Sequence, residues 1–99
     1  MPLDKTKYKI LKLDCPAEKV LRITFDRPET YNSLDADGHR ELAYIWREID
    51  DDPTINSVLL TGAGKAFSSG GDFEMIEKVI DDFDFRAQIW KEAKDLVYN

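Results

Sequence analysis

The apolar positions of this chain fall into short groups, and their spacing changes from one group to the next. Residues 7–13 (KYKILKL) alternate partly between polar and apolar and predict a strand. Residues 20–25 (VLRITF) are β-branched and aromatic and predict a second. The stretch Asp14-Cys15-Pro16-Ala17-Glu18-Lys19 between them reads as a connector, because Pro lacks a ladder donor and Asp favours turns. The opening is therefore expected to be an antiparallel pair with Cys15 in its turn. Pro28 then pushes Arg27 into extended geometry and ends regular pairing.

A helix is the clearest element. Leu42, Ile45, Trp46 and Ile49 fall at i, i+3, i+4 and i+7 and make one stripe. Asp35 is placed to cap it, Asp37 favours the positive end of its dipole, and Asp50-Asp51-Asp52-Pro53 stops it. Val58-Leu59-Leu60 is a short continuous apolar run, which suits a strand buried on both faces of a parallel sheet. Strand, helix, strand forms one βαβ unit, for which a right-handed crossover is expected. Two more helices are expected to close the chain, one on Phe73, Ile76, Val79 and Ile80, the other on Ile89, Trp90, Ala93, Leu96 and Val97. An acidic, mobile linker (Asp81-Asp82-Phe83-Asp84) is expected between them. The fold class is α/β.

Composition narrows the function. With 14 Lys+Arg against 20 Asp+Glu the net charge is −6, which repels phosphate backbones, so nucleic acid is not an expected partner. At 42% hydrophobic and 34% charged residues the chain has globular balance. No apolar run approaches the roughly 20 residues that span a bilayer, so no membrane is expected. The N-terminus lacks a signal-type apolar core, and one cysteine cannot form an internal disulfide; both point to a cytoplasmic protein.

Several motifs can be tested and rejected. A P-loop ending on Gly64-Lys65 needs Gly at 59 and a hydroxyl at 66, where the chain has Leu59 and Ala66. A dinucleotide-type G-x-G-x-x-G starts with Gly62 and Gly64 but ends on Phe67. A nucleophile elbow on Ser68 or Ser69 meets Ala66 or Phe67 where Gly is required. The aspartate clusters lack metal-loop spacing and read as solvated faces, so no metal is expected. His39, the single histidine, reads as a satisfied ring at the edge of the core.

The segment Ser68-Ser69-Gly70-Gly71-Asp72 remains. Two glycines let a ligand approach the backbone, and a Gly71 N–H at the turn into a helix is a donor suited to an oxyanion. A plain glycine connector between strand and helix is equally compatible with these residues taken alone.

Four linked blocks carry a resemblance. Phe25-Asp26-Arg27-Pro28-Glu29-Thr30-Tyr31-Asn32-Ser33-Leu34, Glu41-Leu42, Val58-Leu59-Leu60-Thr61-Gly62, and Lys65-Ala66-Phe67-Ser68-Ser69-Gly70-Gly71-Asp72-Phe73 resemble the crotonase (enoyl-CoA hydratase/isomerase) superfamily. The resemblance implies that residues 1–99 are the N-terminal portion of one crotonase-like domain, a ββα spiral with an incomplete core and its remainder absent from this chain. It implies an acyl-CoA thioester as substrate, with coenzyme A part of that substrate and no separate cofactor. Gly71, where the family more often has Ala, would give one oxyanion N–H. Ser69 and Phe73 would meet the adenine, Gly70 and Asp72 lie between them, and Thr30 and Tyr31 would line the CoA path. Glu29 stands where the family often has Lys.

Family members run well over twice this length. The resemblance therefore puts the second oxyanion N–H and the two glutamates of a hydratase beyond Asn99, and these residues alone are expected not to turn over substrate. The function implied is hydration of trans-2-enoyl-CoA through a stabilised enolate. Other crotonase chemistry (isomerase, hydrolase, decarboxylase), a non-catalytic interaction module and a nucleotide-binding βαβ domain are the alternatives. An open face of half a spiral is expected to meet the rest of the fold, or further copies in a homotrimer or hexamer.

Overall fold

The computed structural model describes residues 3–98. Three strands form one sheet in the order β1-β2-β3. β1 (Leu11–Ala17) and β2 (Val20–Phe25) are antiparallel, with Leu11 opposite Phe25. β3 (Ser57–Gly62) runs parallel to β2, with Leu21 opposite Val58 and Phe25 opposite Gly62. The helix α1 (Ala36–Asp50) connects them, and α2 (Phe73–Asp81) and α3 (Phe83–Tyr98) follow. No helix among the described residues is long and apolar enough to cross a membrane.

The first strand starts four residues later than its alternation predicts. The Glu41 carboxylate on α1 accepts the backbone N–H groups of Lys9 (3.1 Å), Ile10 (3.1 Å) and Leu11 (3.0 Å), so these amides answer to a side chain and Lys5–Lys7 is a 3₁₀ turn. Most of the expected connector 14–19 is strand instead. Pro16 is tolerated because β1 is an edge and its register shifts between Asp14 and Ala17. The turn shrinks to Glu18-Lys19, with Lys19 at φ 60°, and Cys15 is an exposed strand residue, not a turn residue.

The core follows the expected stripe. Leu11, Leu21, Ile23 and Phe25 from the sheet pack with Leu42, Ile45 and Ile49 from α1, and Trp46 lies half-buried against them. The Asp35 carboxylate caps α1 by accepting the Gly38 N–H at 2.7 Å. β3 departs from expectation: Leu59 is 48% exposed. One layer of helix covers one face of this edge strand, so alternate residues point to solvent.

The expected mobile linker is absent. Asp82 alone separates α2 from α3, and its carboxylate accepts the Phe85 N–H at 3.1 Å. The apolar series of α3 is also split. Ile89 and Leu96 turn inward, while Trp90 (68% exposed), Ala93 and Val97 face out. The contact of Glu92 with His39 on α1 sets this rotation, and i,i+4 bonds along α3 serve the second Glu92 oxygen and Asp95. Glu92, 2% exposed, lies 2.8 Å from His39 Nδ1 on α1 and accepts the Gln88 amide at 2.6 Å, and buried Asp95 takes the Lys91 ammonium at 2.9 Å. His39 is thus the satisfied edge-of-core ring the sequence suggested. Phe73, Ile76, Ile80, Phe83, Trp90 and Val97 remain exposed on α2 and α3, which leaves the core incomplete on that side.

Asp50 and Asp51 are solvated as expected, but Asp52 is buried. Its carboxylate accepts the Leu3 N–H (2.8 Å), the Thr54 hydroxyl (2.6 Å) and the Thr54 N–H (2.9 Å), tying the first described residue to the α1–β3 turn. A second tie runs through Glu48, which accepts from Lys7 Nζ (2.6 Å) and the Tyr8 hydroxyl (2.7 Å). Burial and the Glu48 carboxylate push the Tyr8 phenol above its ordinary range. Burial pushes Glu48 up, but the Lys7 and Tyr8 bonds outweigh it and its net shift is downward.

The Leu3 and Thr54 donors lower the Asp52 carboxyl below its ordinary 3.8. A depressed carboxyl contributes stability that is full above its unfolded value and is lost as pH falls through the folded one. Asp52→Asn should therefore melt at lower temperature than the native chain at pH 7, and the gap should narrow below pH 3.8. Thermal unfolding across pH 2–7 checks both parts.

Candidate functional site

Two loops meet where β2 and β3 end. After Phe25 the chain makes a 3₁₀ turn at Pro28–Thr30, and Tyr31 and Asn32 then both adopt positive φ (53° and 58°). After Gly62 the chain loops to Asp72, which caps α2 by accepting the Met75 N–H at 2.8 Å. Asn32 joins the two loops from a buried position. Its Oδ1 accepts the Arg27 N–H (2.8 Å), and its Nδ2 donates to the carbonyls of Ala63 (2.8 Å) and Ala66 (2.7 Å). Gly62 lies under this joint. A Cβ there would run into the carbonyl oxygens of Ala66 and Phe67 and stand 2.7 Å from Asn32 Nδ2.

Further bonds seam the loops together. The Ser69 N–H donates to the Tyr31 carbonyl (3.0 Å), and the Ser69 hydroxyl to that of Thr30 (3.2 Å). Leu34 and Gly71 form a short parallel bridge, in which the Leu34 N–H donates to the Gly70 carbonyl (2.7 Å) and the Asp72 N–H to that of Leu34 (2.9 Å). Arg27 Nη1 reaches the Asp72 carboxylate (3.3 Å) and the Ser33 carbonyl (3.2 Å).

In such a bridge the neighbours of Gly71 make the bonds, and its own N–H and C=O point away from Leu34. Among the described residues the Gly71 N–H meets no acceptor. It stands one residue before the cap of α2, not at the first helical turn itself. Gly71 lines a cavity of about 310 Å³ together with Thr30, Tyr31, Ser33, Asp72 and Phe73.

Five residues singled out from the sequence therefore share one cavity: Gly71, Thr30, Tyr31, Asp72 and Phe73. Tyr31 (63% exposed) and Phe73 (86%) flank its mouth. Ser69 and Gly70 do not line it. The Ser69 amide and hydroxyl are committed to the opposite loop, and Gly70, at φ 96°, makes the turn that aims its successor. Asn32, Ser33 and Arg27 stand within the first motif block, and the sequence assigns none of them to the site. The available signal for Asn32 was a residue tolerant of positive φ just after a Pro-led turn. Among the described residues no group of three or more His, Cys, Asp or Glu side chains could hold a metal ion.

The sequence profile of the enoyl-CoA hydratase/isomerase family matches residues 16–99. A mevalonyl-coenzyme A hydratase of Beauveria bassiana is 39% identical over 59 residues, 60% of this chain and 21% of that protein. A 1,2-epoxyphenylacetyl-CoA isomerase of Escherichia coli is 42% identical over 53 residues, 54% of this chain and 20% of that protein. The crystal structure of an enoyl-CoA hydratase/isomerase from Mycobacterium paratuberculosis superposes with a TM-score of 0.85 at 35% identity, covering 90% of this chain and 35% of the other. Matched segments thus span about a fifth of these curated relatives and a third of that solved chain.

Two substitutions probe the site. Gly62→Ala should cost about 2–3 kcal/mol, because the obstructing atoms are backbone oxygens that cannot step aside. At Gly71 a Cβ would stand 2.5 Å from the Cε of buried Met75, the end of a flexible side chain. Gly71→Ala should therefore destabilise less in a Met75→Ala background than in the native chain, with a coupling of about 1 kcal/mol in a denaturant double-mutant cycle.

Proposed function

This chain belongs to the enoyl-CoA hydratase/isomerase family, and from that premise we propose that it is the acyl-CoA-binding part of an enzyme that hydrates trans-2-enoyl-CoA. The observation that carries this reading is the unbonded Gly71 N–H on a cavity formed with Thr30, Tyr31, Asp72 and Phe73. In the proposed complex the thioester carbonyl oxygen accepts that N–H. The donor is fixed before the ligand arrives, so it can stabilise charge as the carbonyl turns to enolate without reorganising. The bonds that seam residues 27–34 to 68–72 supply the rigidity this requires.

Tyr31 and Phe73 offer exposed rings beside the amide, suited to the pantetheine and adenine portions of CoA, and the Ser69 carbonyl is a free acceptor among the described residues. One amide is half of a carbonyl clamp. Removing one donor of such a pair typically lowers the rate by about 10²–10³. We therefore place the second amide and the acid–base pair outside these 99 residues, which would bind acyl-CoA without turning it over. The exposed apolar side chains of α2 and α3 support a face covered by the rest of the fold or by further copies in a trimer or hexamer.

The hydratase and isomerase names among the relatives favour two chemistries on one clamp. Assays of the full-length protein on enoyl, β-keto and aryl acyl-CoAs separate them. Calorimetric titration with crotonyl-CoA and with free CoA tests the clamp itself. The thioester should bind several-fold more tightly than CoA, through its acyl group, whose carbonyl meets the Gly71 N–H and which free CoA lacks. Equal affinity, or no binding by either, would remove the proposal.

A further inference from the structure

Four consecutive amides, from Ser69 to Asp72, lie along the loop beside the cavity, and three of them are already in use. The Ser69 N–H goes to the Tyr31 carbonyl and the Asp72 N–H to that of Leu34. The Gly70 N–H has no carbonyl. It is taken by the Ser68 hydroxyl oxygen at 3.1 Å, while the same hydroxyl donates its own hydrogen to the Asn32 carbonyl at 2.9 Å. A hydroxyl has one hydrogen and two lone pairs, and here the hydrogen and a lone pair both have partners within the loop system.

We propose that Ser68 is a positioning residue that occupies the Gly70 amide and so leaves Gly71 as the single free donor of the loop. The proposal rests on the acyl-CoA reading only for the identity of the oxygen that Gly71 meets. Adjacent amides in a turn converge readily on one anion. Gly70 does not line the cavity in the native chain; with its N–H released, the loop would offer two adjacent donors instead of one, and an incoming oxygen would no longer be held to Gly71 alone. Gly70 has positive φ and nothing within 4 Å of its missing side chain, so sterics alone do not hold its peptide. The Ser68 hydroxyl does, and through the Asn32 carbonyl it refers the loop back to the buried joint.

The test is water–amide exchange by NMR on the native chain, Ser68→Ala and Ser68→Thr, each followed by titration with crotonyl-CoA. In the native chain Gly70 should exchange more slowly than Gly71, and crotonyl-CoA should shift the Gly71 amide with little effect on Gly70. Ser68→Ala should bring Gly70 exchange to the level of Gly71, make both amides respond to the ligand and weaken binding about five- to tenfold. Ser68→Thr, which keeps the hydroxyl, should restore the native pattern. Equal exchange of Gly70 and Gly71 in the native chain overturns the proposal, as does an unchanged Gly70 in Ser68→Ala. If Ser68→Ala does not fold, the native comparison and the threonine variant decide. A native chain with the expected exchange pattern and no response to crotonyl-CoA would uphold the role of Ser68 and overturn the acyl-CoA reading instead.

Discussion

Asn32 is 1% exposed, and its side chain holds three backbone partners from two loops that are far apart in sequence. An amide in that position cannot turn to water, so each bond it fails to make would leave a buried polar group unpaired. This sets the distance between the segment after β2 and the segment after β3. It also explains Gly62, since the Ala66 carbonyl that Asn32 holds, together with that of Phe67, crowds the space a side chain would need. The parallel pairing of β2 and β3 brings the two loops to the same end of the sheet, and Asn32 fixes what happens there.

The free amide of Gly71 is a consequence of that joint. Once Asn32 has docked the loops, the Leu34–Gly71 bridge uses the Gly70 carbonyl and the Asp72 amide. The Arg27–Asp72 contact holds the cap of α2 against the first loop. Rigidity and availability thus come from the same bonds. The neighbours are committed and the donor between them is left over.

The glycine-rich loop, the Asp35 cap and the α1 stripe were legible because each is local: a residue type at a set spacing answers to backbone geometry alone. The limits of β1 were not. Its start depends on Glu41, thirty residues downstream, claiming the amides of Lys9 to Leu11, and its end on a register shift against β2. The face that α3 presents was misread for the same reason. Its apolar series suggested an inward stripe, but the contact of Glu92 with His39 decides the rotation, and His39 lies on another helix. In the site, the cavity-lining residues came from a family resemblance, whereas Ser33 and the roles of Asn32 and Ser68 required coordinates.

What the sequence determined by itself was the order of strands and helices, the Asp35 cap of α1, the glycine-rich turn before α2, and the family to which the loops belong. These follow from periodicity, from residues that tolerate or forbid particular φ values, and from motif blocks in a fixed order. Tertiary structure alone decided which of four neighbouring amides stays free, which carboxylates go inside, and where an apolar face is left open. Each of those outcomes is set by a competition for hydrogen-bond partners between segments tens of residues apart, and no local pattern records who wins it.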